Sequence, residues 1–236
     1  MARTVTARTA AWRRRQAGVT LVELLVAMVI MTVITTMIIG GWIALQSSYA
    51  NSVNQNDARS SARYALNFAS AEIRDAQPQT VTTPPQSPIT VAQPMEIDYY
   101  SSYDQPGTAA DGTGTANLRL TRIYLNTTTG TLYWQRDTNG SGTWGSGDRT
   151  IVLATNVVNN TTANPNVTPA AAYTALFTYG YLDSNGNYTS ADTVATANLA
   201  AIVSVTVHVL VGAQRGHAIV PADLQITVAP RNAPNG

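Results

Sequence analysis

From Val19 to Leu45 the chain reads VTLVELLVAMVIMTVITTMIIGGWIAL, 27 residues with a single charge, Glu23. As a helix this run would be about 40 Å long, more than the roughly 30 Å of a bilayer's hydrocarbon core. The apolar region of a cleaved secretory signal is shorter, so simple release fits poorly. The small-residue site Ser48-Tyr49-Ala50 downstream keeps that route as an alternative. The run is preceded by Arg13-Arg14-Arg15, which should hold the N-terminus in the cytoplasm and leave the body outside the membrane. Gly40-Gly41 and the threonines Thr32, Thr35 and Thr36 interrupt the apolar pattern. They suit either a bend or close packing against another membrane helix.

Charge is sparse and unevenly placed. Only 11% of the 236 residues are charged, while 44% are apolar, which is not the composition of a disordered chain. Residues 1–18 hold five Arg and no acid; the remainder carries nine Arg against 13 acids, a balance of −4. All basic residues are Arg, a bias with no functional account. Cysteine is absent, which excludes disulfide scaffolds, Cys-ligated zinc, iron–sulfur clusters and thiol nucleophiles. Glu23 stands out, because a carboxylate within an apolar span is costly and usually functional. The alternative is a Glu near the membrane edge, reaching back to water.

Arg13-Arg14-Arg15-Gln16-Ala17-Gly18 followed by Val19-Thr20-Leu21-Val22-Glu23-Leu24-Leu25-Val26-Ala27-Met28 resembles the class III signal of type IV prepilins: a basic leader, a Gly, four residues, a Glu, then an apolar helix. The resemblance implies cleavage after Gly18 by a membrane prepilin peptidase and methylation of the new N-terminus, Val19. Val19 departs from the Phe most often found there. It also implies a role for Glu23: the carboxylate of one subunit would neutralise the Val19 ammonium of a neighbour and set the register of each incoming subunit. A charge pair in hydrocarbon costs far less than two separate charges. The presence of Glu23 argues against the large tip pseudopilin, which typically lacks it.

Ala58, Ala62, Ala65, Leu66, Ala69, Ile73 and Ala76 recur at helical spacing, with Tyr64 and Phe68 beside the stripe. Asp57, Arg59, Arg63, Glu72, Arg74 and Asp75 read as solvated positions. One helix is therefore expected from Val19 to Gln77, stopped by Pro78. Five prolines make residues 78–94 a linker. Strand-like runs follow at Met95–Ser101, Leu118–Leu125, Thr131–Arg136, Ile151–Val158, Ala175–Leu182, Ala201–Val211 and Leu224–Ala229, with a hairpin at Asn126-Thr-Thr-Thr-Gly130. The expected fold is α+β: a long N-terminal helix, membrane-spanning in its first half, packed on a C-terminal antiparallel β-sheet domain. The expected divisions are a cleaved leader 1–18, an apolar helix 19–45, its amphipathic continuation 46–77, the linker 78–94, a β-rich domain 95–230 and a tail 231–236. ARYALNFASAEIRDAQ at Ala62–Gln77, with TRIYLNTTTGTLYWQRD, RTIVLATNVV, ALFTYGYLD and ITVAPRN, resembles PilW/PulJ-type minor pilins and pseudopilins.

Asp137, Asn139, Ser141 and Thr143, with Gly142 at the sixth position and Asp148 at the twelfth, follow the order of a calcium loop. Only two of these ligands are charged, the last is Asp rather than Glu, and no helices flank them, so a Gly-rich hairpin connection is the simpler reading of the same residues. Asp183-Ser-Asn185-Gly-Asn187 is a shorter version, most simply a turn. Gly140, Gly142 and Gly145 lie between strands, unlike a dinucleotide loop. His208 and His217 are isolated, no nucleophile motif is present, and sequons begin at Asn126, Asn139, Asn160, Asn166 and Asn187.

The leading expectation is a structural one: a minor pilin or pseudopilin that primes or caps a filament, with other pilins, the prepilin peptidase and an inner-membrane assembly platform as partners. It would be single-pass with a cytoplasmic N-terminus, then part of a filament or the cell surface. It needs no catalytic residue and no cofactor unless calcium binds. The alternative is an anchored or exported binding module for a surface, a sugar or DNA. The negative mature balance argues against DNA, although Arg119, Arg122, Arg136 and Arg149 could form a local patch.

Overall fold

The computed structural model describes residues 19–78, 87–102, 118–159, 174–215 and 218–230. The chain divides into two units, the boundary falling between Ser48 and Tyr49. Gly18, the linker's centre, His217 and the tail lie outside the described residues, as do the sequons at Asn160 and Asn166.

Helix α1 runs from Leu21 to Arg74. It passes through Gly40-Gly41 without a break. The Thr32 and Thr36 hydroxyls donate to the carbonyls of Met28 and Thr32, one turn back, at 2.8 Å each. Within the first unit the apolar side chains from Val19 to Leu45 are exposed. In the second unit the stripe predicted from the sequence is buried: Ala58, Ala62, Ala65, Leu66, Ala69 and Ile73. Small side chains at most of these positions let the helix backbone approach the sheets closely.

The helix stops three residues short of Gln77. Ala76 instead bridges to Ser101, and the Gln77 N–H donates to the Tyr100 carbonyl at 2.8 Å. Pairing with a strand thus ends the helix before Pro78 does.

Nine strands among the described residues form two antiparallel sheets. The first has β1 (Ile89–Gln93), β2 (Glu96–Ser101), β3 (Arg119–Asn126), β4 (Thr131–Arg136) and β5 (Arg149–Ala154) in sequential order. The second comprises β6 (Phe177–Leu182), β7 (Tyr188–Ala191), β8 (Ile202–Arg215) and β9 (Ala218–Val228), ordered β7-β6-β8-β9, with a 3-10 turn at Thr196–Ala201. The α+β expectation is met. Two strands went unforeseen: β1 lies inside the stretch read as a linker, and β7 was passed over. The last run is also longer than Leu224–Ala229, because β9 begins at Ala218.

The inner faces of both sheets join the helix stripe in one core. Ile97, Tyr99, Ile123, Leu132 and Trp134 enter from the first sheet, and Phe177, Tyr179, Val205, Val207 and Val209 from the second. The β3–β4 hairpin forms as predicted: the Asn126 carboxamide oxygen accepts the Thr128 and Thr129 N–H groups, and Gly130 takes a φ of +63°. Gly130 also accepts from the Val157 N–H. Its ideal Cβ would stand 3.0 Å from the Val157 carbonyl, so both conformation and space call for glycine there. From Val157 the chain pairs with β8 at Val211, which ties the first sheet to the second.

Candidate functional site

The helix begins with a device the sequence reading overlooked. Thr20-Leu-Val-Glu23 is a capping box. The Thr20 hydroxyl accepts the Glu23 N–H at 3.3 Å, and the Glu23 carboxylate accepts the Thr20 N–H at 3.0 Å and its hydroxyl at 3.1 Å. The carboxylate thus folds toward the helix start, one residue from Val19. The helix it heads is long and apolar enough to cross a membrane, and none of its apolar window is buried.

A buried polar cluster fixes the helix end on the first sheet. Glu72, expected to be solvated, is 1% exposed. Its carboxylate lies 3.6 Å from Arg136 and accepts the hydroxyls of Tyr99 and Ser101 at 3.3 Å each. Arg136 also donates to Ser101 at 2.8 Å and to Thr121 at 3.3 Å. Burial pushes the Glu72 carboxyl up; Arg136 and the Trp134, Tyr99 and Ser101 donors draw it only partly back. This is an anchor between helix and sheet.

The proposed arginine patch is split between faces. Arg136 points into the core, whereas Arg122 lies on the outer face of the sheet, paired with Glu96 at 3.3 Å and donating to Gln135. Arg149 sits over the Trp134 ring at 5.8 Å.

In the connection from Asp137 to Asp148, the oxygens considered as calcium ligands serve the loop itself. Asp137 accepts the N–H groups of Asn139, Gly140 and Gly142 at 3.1, 2.8 and 2.6 Å. Asn139 accepts the Ser141 N–H, the Ser141 hydroxyl donates to the Thr143 carbonyl, and Asp148 accepts the Gly145 N–H. Burial would raise the Asp137 carboxyl, but the amides of Gly142, Gly140, Ser141 and Asn139 outweigh it and hold it below the usual range. Asp183 closes the β6–β7 turn in the same manner, accepting from Asn185 and Asn187 at 2.8 Å. Among the described residues no three acidic or His side chains are grouped for a metal. His208 pairs across strands with Asp223 at 2.6 Å, on an outer face.

A search of curated proteins found no match to the chain. Residues 13–39 match a family described as the prokaryotic N-terminal methylation motif. The matched segment takes in Arg13-Arg14-Arg15, Gly18, the capping box and most of the exposed apolar helix. The chain therefore carries a type IV prepilin-like signal on a helix suited to a membrane anchor, and these features support a pilin-like or pseudopilin structural subunit.

Proposed function

We propose that this chain is a minor subunit of a type IV pilus or a type II secretion-like filament, of the PilW/PulJ type, and that it helps to prime or cap assembly. The observation that carries this reading is the match over residues 13–39 on a helix whose apolar face is wholly exposed in the single chain. Such a face needs either lipid or other helices of its kind. In this reading a prepilin peptidase cuts after Gly18, and Val19 becomes the methylated N-terminus. The N-terminus starts in the cytoplasm and the body stands outside the membrane. An inner-membrane platform then moves the subunit into a filament among other pilins. Glu23 supplies the register by pairing with the Val19 ammonium of a neighbour.

Intact mass and N-terminal sequencing of the protein from its native membrane test this directly. A chain beginning at Val19, with or without one added methyl group, supports processing as a prepilin, and co-purification with filaments is the next measurement. A chain beginning near Asn51 means release by signal cleavage and ends the filament reading. An intact Met1 leaves a plain anchor and favours a tethered binding module.

A further inference from the structure

The second sheet ends on a long strand with an open outer edge. β9 spans 11 residues, Ala218–Val228, and lies last in the order β7-β6-β8-β9. On β8 the N–H groups of His208 and Gly212 and the carbonyl of Leu210 bond to Leu176, Asn156 and Val158, on the side away from β9. In an antiparallel ladder the direction alternates with each residue, so Val207, Val209 and Val211 turn toward β9. Their register partners Ile226, Leu224 and Ala222 are therefore used. Asp223, Gln225 and Thr227 turn their N–H and C=O groups outward, and no strand pairs with them among the described residues.

The other sheet edges are short or guarded. β7 has four residues, β1 five and β5 six. β1 is bracketed by Pro88 and Pro94, and its Ala92 carbonyl already accepts the Val194 N–H at 3.1 Å. On β9, Pro221 lacks an N–H and stops pairing at that end, which leaves the stretch from Asp223 to Thr227 open.

Beside this edge lies a groove with a charge preference. It runs between α1 and β9, where Gln55, Arg59 and Arg63 face Pro221, Ala222 and Leu224. Arg59 and Arg63 stand one turn apart, are exposed, and form no ion pair among the described residues. Asp223, at the rim, pairs with His208 on the outer face. A free anion would satisfy the arginines and leave the ladder bare, and a helix has no backbone groups to offer it. An extended chain carrying acids meets both: main-chain bonds give adhesion and the arginines select the sign of charge. Its side chains alternate, so acids at every second position fall on the face toward α1.

We propose that the β9 edge docks an extended acidic segment of a neighbouring subunit, which adds as a further strand beside Asp223–Thr227 with its acids over Arg59 and Arg63. Naming a neighbouring subunit as the source rests on the filament reading above. The edge itself is tested by a peptide, whose binding does not depend on cleavage at Gly18.

A peptide of about nine residues spans Asp223 to Thr227 with two to spare at each end. One version alternates Thr with Glu, a second has Lys for each Glu, and a third is the Glu peptide N-methylated at every backbone nitrogen. Binding is followed by fluorescence anisotropy of the labelled peptides with the full-length chain in nonionic detergent. The Glu peptide is expected to bind saturably, at least about tenfold more tightly than the Lys peptide. The N-methylated peptide keeps the charge without the ladder donors and should not bind. Gln225→Pro removes an outward N–H and should weaken binding of the Glu peptide about tenfold. Arg59→Glu/Arg63→Glu should reverse the preference in favour of Lys. Absence of saturable binding by the Glu peptide overturns the proposal, as does equal affinity for the Glu and Lys peptides. Binding of the N-methylated peptide as tight as that of its parent reduces the site to a surface charge contact and overturns it too. If Gln225→Pro does not fold, the N-methylated peptide and the arginine variant decide.

Discussion

Glu72 shows how a single residue escapes a reading by pattern. It flanks the helix stripe with Arg74 and Asp75, and nothing local marks it as buried. Its partners, Tyr99, Ser101 and Arg136, come from β2 and β4 and meet it only in the folded chain. The physics of a buried pair then sets a test. Glu72→Ala leaves Arg136 buried against a missing charge, and should cost about 3–5 kcal/mol in denaturant unfolding. The double variant Glu72→Leu/Arg136→Met should cost clearly less than the sum of the two single changes. Strict additivity would show that the two groups are not coupled. A second prediction concerns pH. Glu72 and Asp98 both have raised carboxyls, so the folded state holds protons that the unfolded chain releases. Their stabilisation is full below the ordinary carboxyl value and is lost as pH climbs through the folded values; for Asp98 the window runs from 3.8 to about 7. Asp137 and Asp183 are depressed and act oppositely, losing their contribution as pH falls through their folded values. The thermal midpoint should therefore be higher near pH 5 than near pH 8. Between those two pH values Asp98→Asn should flatten that slope by at most about 3 kcal/mol. A midpoint that rises toward pH 8 would contradict the burial of both carboxyls.

At the scale of elements, legibility followed how strongly each segment's own pattern favours one state. The apolar helix, the buried stripe and the Asn126–Gly130 hairpin were plain, since period, turn residues and glycine all agree there. β1 was hidden because Pro88 and Pro94 bracket five residues, and short strands next to prolines read as loops. β7, Tyr188–Ala191, is a half-exposed edge strand with no apolar alternation to detect. The helix end was misplaced because an interaction with β2 decided it. The capping box, by contrast, was visible as Thr20-x-x-Glu23 and was eclipsed by the other meaning of Glu23. The two roles separate experimentally. Gln at that position can still cap the helix, as Glu does, but carries no charge. Glu23→Gln should therefore keep helix content by circular dichroism in detergent while sharply reducing recovery of the protein in sheared filaments. Equal loss of both would assign Glu23 to capping alone. Unchanged filament recovery would remove the proposed charge pairing with Val19.

The whole molecule divides its tasks along the chain. Every residue of the described core lies at Ala58 or later, drawn from the second half of α1 and the two sheets. The exposed large apolar side chains are concentrated from Val19 to Leu45, with only a few in the body, such as Tyr64, Val152 and Tyr188. Folding free energy and membrane affinity therefore come from different stretches of sequence, and a cut between them should separate the two properties. A chain beginning at Tyr49 is expected to be soluble without detergent and monomeric by size exclusion. It should unfold in one transition within a few degrees of the full-length body, since the buried apolar area that stabilises the body is retained. The full-length chain should need detergent or lipid, because the apolar side chains of the first helical half are exposed among the described residues. Aggregation or non-cooperative unfolding of the shortened chain would mean that residues before Tyr49 take part in the body's stability. A soluble, cooperative body would leave the first helical half with anchoring and assembly alone.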